Sequence, residues 1–109
     1  MLTGGSWRSV PLLVATGPWG RLRGLRCAPP GWGVLLRTRS IHTAGMGHPI
    51  TAVGIDSGGR VRWSGTIAPG GVVFDRAATW VAELPPGAAP PPPGRLLRAV
   101  PMLGRCPDL

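Results

Sequence analysis

Few residues of this 109-residue chain carry groups that do chemistry. His42 and His48 stand six apart around a Thr-Ala-Gly-Met-Gly linker. Two neutral imidazoles hold a metal only with further ligands in the right geometry, and neither Asp56 nor Cys106 follows a ligand spacing from them. The pair reads as loop histidines. Ser57, His48 and Asp56 could be gathered into a hydrolytic triad by residue type alone. No nucleophile elbow surrounds Ser57, however, and Ser57-Gly58-Gly59 is accounted for as a turn. The other acids are Asp75, Glu83 and Asp108, and none forms a carboxylate pair. The chain has no Lys, which excludes a phosphate-loop lysine and a Schiff-base amine. Cys27 and Cys106 read as two thiols without metal spacing. The expectation is a protein without catalytic residues, cofactor or metal.

One binding motif is sharper. Residues 90–95, PPPPGR, fit P-x-x-P-x-R with Pro90, Pro93 and Arg95 in register. A polyproline II helix has three residues per turn, so Pro90 and Pro93 would share the face that an SH3-type groove takes. The plainer reading of the same residues is a stiff linker.

Charge is distributed unevenly. The net charge is +8, with 12 Arg against four acids. Arg8, Arg21, Arg23, Arg26, Arg37 and Arg39 all precede Asp56, the first acid. An acid-free, Arg-rich start interspersed with Ser, Thr, Leu and Val is the composition of a mitochondrial transit peptide. The membrane potential would draw such a segment inward. RTRSIHTAG, residues 37–45, resembles the ends of mitochondrial presequences: an arginine shortly before the cut, an aliphatic residue at it, small hydroxylated residues after it. Arg39, Ser40, Ile41 and His42 would then form the processing site, with cleavage after Ile41. The resemblance implies a matrix location, with import receptors and a processing peptidase as partners. The part beyond the cut would keep six Arg against four acids, net +2, too little for a nucleic-acid surface. Helices able to carry the address would lie at 21–27 and 34–41. No run of roughly 20 apolar residues is present to cross a membrane as a helix.

The elements that would position these residues are short. Pro and Gly make up 14 and 18 of the residues, a content common in disordered chains. Gly, Ala, Arg and Pro dominate, as in GC-rich coding sequence. Beyond residue 49 the pattern tightens. ITAVGID, RVRWSGTI and VVFD, separated by Gly turns, read as three strands, and Val61 and Trp63 alternate with Arg60, Arg62 and Ser64. Asp75 is placed to cap a helix over 76–84, whose Ala77, Trp80, Val81 and Leu84 form one apolar stripe.

The sequence therefore predicts a mostly disordered chain holding a small α+β unit in residues 50–84, a three-stranded meander plus one short helix. Around it lie a transit-peptide-like segment (1–41), a linker (42–49), a proline-rich segment (85–95) and a tail (96–109). A unit of that size usually needs a partner to hold its fold. The expected function is a non-catalytic mitochondrial accessory protein or truncated isoform of a larger one. The alternatives are a cytoplasmic SH3-binding peptide, a basic RNA-binding or ribosome-associated arm, and a GC-rich reading frame without selected function.

Overall fold

The structure, a computed structural model, describes residues 2–15, 31–43, 47–99 and 104–105. Its elements are all strands: β1 (Leu2–Gly4), β2 (Trp7–Arg8), β3 (Leu12–Ala15), β4 (Gly33–Leu36), β5 (Ser40–His42), β6 (Ile50–Ile55), β7 (Val61–Ile67), β8 (Val72–Phe74), β9 (Trp80–Leu84), β10 (Arg98–Ala99) and β11 (Gly104–Arg105). They form a six-stranded sheet in the order β11-β3-β4-β9-β6-β7, a three-stranded sheet β10-β1-β2, and the ribbon β5-β8. β4 pairs with β9, β5 with β8 and β6 with β7, all antiparallel. These pairs nest one inside the next, which rolls the chain up in the manner of a jelly roll.

The large sheet is buried on both faces, and that explains its sequence. Leu12, Leu35, Val53, Ala82 and Leu84 face one core, which Leu2 and Leu97 complete. Val34, Leu36, Ile50, Ala52 and Val81 face a second core, closed by Ile41 of β5 and Val73 of β8. A strand covered on both sides needs no polar alternation. β4 and β6 are accordingly buried at every position.

Small residues in the sheet let its neighbours close in. Gly54 lies opposite Trp63 on β7, and a Cβ there would collide with the Trp63 indole. Residues 56–60 close the β6-β7 hairpin: Asp56 Oδ1 accepts from the N–H groups of Gly58 and Arg60, both at 2.9 Å. Gly59, at φ 89°, supplies the left-handed backbone the turn requires.

Four sequence expectations are corrected here. The chain is not mostly disordered, and among the described residues there is no helix. Residues 80–84 form the central strand β9, paired with β4 on one side and β6 on the other. Asp75 does receive a local N–H, that of Ala77 at 2.9 Å, but it closes an Asx-type turn instead of capping a helix. The meander is also replaced. β6 and β7 pair as a hairpin, whereas β8 leaves them and joins β5. Of the two helices expected to carry the address, residues 34–41 lie across β4, the loop after it and the start of β5. The other, 21–27, lies outside the described residues.

Candidate functional site

Two adjoining recesses at one end of the large sheet bring together the side chains best suited to bind a ligand. The first is a mainly apolar cavity of about 310 Å³ lined by Leu2, Val14, Leu35, Ile55, Trp80 and Leu97, with Asp56, Ser57 and Gly59 at one side. It lies between the large sheet and the β10-β1-β2 sheet. The second is a polar cleft of about 600 Å³ lined by Arg37, Thr38, Arg39, Ser40, Ser57 and Thr79. Ser57 belongs to both, and Thr79 and Trp80 are consecutive.

Each wall has a local cause. The β6-β7 register shifts between Gly54 and Ile55, a bulge of the kind that re-aims side chains beside binding sites. Immediately after it, the Asp56 turn carries Ser57 into the shared wall. Thr79 is anchored by its N–H, which donates to Ile55 O at 2.7 Å. The loop between β4 and β5 is tightened by Thr38, whose hydroxyl donates to Ser40 O at 3.0 Å. That loop brings Arg37 over the Trp80 ring, its Cζ 6.0 Å from the centroid, within cation–π range.

The cleft carries two arginines, and among the described residues none that lines it has a carboxylate. Arg37 and Arg39 are both exposed. Among the described residues the ion pair that forms is Arg62 with Asp75 at 3.2 Å, which leaves both cleft guanidinium groups without an acidic partner. Asp56 borders the cavity, but its Oδ1 is already held by two N–H groups.

The sequence-predicted residues are scattered by the fold. Arg37 and Arg39, read as import charges, share the cleft, while Arg8 lies on β2 and Arg21, Arg23 and Arg26 lie outside the described residues. The expected processing site falls inside β5. Ser40, Ile41 and His42 pair with Phe74, Val73 and Val72, and Ile41 is 5% exposed. His48 sits in a loop with Nδ1 3.1 Å from Pro49 O, and no group of three or more potential metal ligands occurs among the described residues. Cys27 and Cys106 lie outside them.

The proline-rich segment is tied down. Pro91 is fully buried and its carbonyl accepts from Ser64 Oγ at 2.7 Å. Gly94 N–H donates to Val61 O and Val61 N–H to Arg95 O, both at 2.8 Å. Pro90 and Pro93 are exposed, Arg95 is half-buried, and the Arg95 guanidinium reaches Gly4 O at 3.4 Å. Residues 90–95 thus cover the outer edge of β7. The sequence reading missed the joint role of Ser57, Thr79 and Trp80; their only sequence signal is that each flanks a turn or strand end.

No protein-family model matches the chain, and no curated protein does. The fold defines an all-β, rolled-up domain with an amphipathic recess. It is similar to the crystal structure of a Sinorhizobium meliloti 1021 protein described as a candidate transcription regulator, with a TM-score of 0.62 and 22% identity over 80% of this chain and 79% of that one. At that identity the likeness bears on fold alone.

These findings overturn the expected mitochondrial accessory fragment and its alternatives. Leu2, Leu12 and Leu35 lie in one core and Val34, Leu36 and Ile41 in the other, and the fold they help to build is similar to that of the regulator-like protein along most of its length. A cut after Ile41 would remove β1 to β4 and split β5. Nor is the chain a free proline peptide or an extended basic arm.

Proposed function

We propose that this domain is a non-catalytic small-molecule-binding module of the ligand-sensing kind. The observation that carries the reading is the apolar cavity lined by Leu2, Leu97 and Trp80 among others. Its size is at the lower end of ligand pockets, which run from roughly 300 to 1,000 Å³ and are mostly apolar with a few placed polar groups. Ser57, Asp56 and the Arg37–Trp80 stack are those polar groups here. One oxygen of the Asp56 carboxylate, Oδ1, is held by the N–H groups of its turn.

The test is thermal unfolding in the presence of 1-octanol, a neutral apolar probe. Saturating the cavity at about 100 times its dissociation constant stabilises the fold by about 2.7 kcal/mol, visible as a rise in Tm. No rise up to the solubility limit would sink the proposal.

A further inference from the structure

We infer that the ligand is an amphipathic anion, its apolar body in the cavity and its carboxylate or phosphate head in the cleft between Arg37 and Arg39. The inference rests on the binding-module reading above and adds the chemistry of the head group. The two recesses meet at Ser57, and at the same boundary Arg37 lies over the ring of Trp80, a wall of the apolar cavity. Trp80, which lines the cavity, thus has the Arg37 guanidinium of the cleft as its neighbour.

The cleft itself is built from donors. Arginine presents a planar fork that matches carboxylate and phosphate oxygens, and two of them line this space with no acid among the described residues to neutralise them. Ser57 and Thr79, which also line it, bring two hydroxyls. Among the described residues neither donates to a protein acceptor, so both remain available to an anionic oxygen. An unpaired cationic cleft at the mouth of an apolar cavity has a direct complement in a short-chain amphiphile of negative charge. Neutral and cationic amphiphiles lack it.

The experiment is calorimetric titration of the full chain with octanoate, octyl phosphate, 1-octanol and octylamine at one salt concentration. Octanoate or octyl phosphate should bind at least about tenfold tighter than octanol, the scale of one charge-assisted hydrogen bond. Whichever anion binds tighter identifies the head group. Arg37→Gln and Arg39→Gln, both at exposed positions, should reduce that preference while octanol binding persists. Arg8→Gln, an exposed arginine outside the cleft, should leave the preference intact. Octanol binding equal to both anions, octylamine binding tightest, or an equal loss in Arg8→Gln would each overturn the anion assignment and leave the cavity reading standing. No binding of any of the four would overturn the cavity reading itself.

Discussion

Asp75 holds its carboxylate between two donors, the Ala77 N–H at 2.9 Å and the Arg62 guanidinium at 3.2 Å. The backbone hydrogen bond, aided by Arg62, keeps its pKa below the ordinary 3.8. Both donors favour the charged form, so the group stabilises the fold fully above its unfolded pKa near 3.9. That stabilisation is lost as pH falls through the lowered folded value. Asp75→Asn should therefore be less stable than the parent at pH 7, with the difference vanishing towards pH 2. Urea midpoints across that range check it, and a constant difference would show that Asp75 acts through something other than its charge. The same residue shows what one position reveals. Its side-chain-to-backbone bond was legible, because Asp accepts nearby N–H groups in turns and at helix starts alike. Which of the two it closes depends on residues it never touches. Arg37 and Arg39 are similar: their charge was plain, but the acid-free cleft that gives them a role is a property of the fold.

At the scale of the element, β9 is the instructive case. Ala77, Trp80, Val81 and Leu84 have helical spacing, and Ala, Glu and Leu are good helix formers. Pairing on both sides with β4 and β6 overrides that propensity, which is a weak prior against burial. The two states bury different residues. A helix with that stripe leaves Ala82 and Glu83 on its outer face, whereas in β9 they are 0% and 4% exposed. Ala82→Asp is therefore expected to destabilise by several kcal/mol, as an uncompensated buried charge does, and to abolish cooperative unfolding. A change below about 0.5 kcal/mol, normal for surface sites, would favour the helix. The proline-rich segment carries a related lesson. Proline lacks the N–H that edge pairing uses, so a run of it along β7 closes the large sheet to further strands.

For the whole molecule, the decisive question is whether residues 42–109 fold without the preceding segment. Leu2, Leu12, Val34, Leu35, Leu36 and Ile41 are each 7% exposed or less. Burying a side chain of this kind contributes roughly 1.5–3 kcal/mol, so together they match or exceed a whole domain's net stability of about 5–15 kcal/mol. The fragment 42–109 should show no cooperative thermal transition by far-UV circular dichroism, while the full chain should melt as one unit. A cooperative fragment with a Tm near that of the full chain would mean that the two cores are separable.

Local pattern alone was enough for the β6-β7 hairpin. One face of β7 is partly open, so its residues alternate, and Gly59 marks the turn by a backbone conformation that other residues resist. It was enough also for the strand at 72–74 and for the turn-closing habit of Asp75. Only the tertiary structure decided that residues 80–84 are a strand, that β8 leaves the hairpin for β5, and that Leu2, Leu12 and residues 34–36 belong to the cores. The physical reason is the same for the first and the third. Periodicity records exposure on one side, and strands covered on both sides have none to record. Their identity comes from partners far along the chain, such as Val34 opposite Glu83 or Leu13 opposite Val34. The recess beneath Arg37 and Trp80 exists only where those long-range pairings meet.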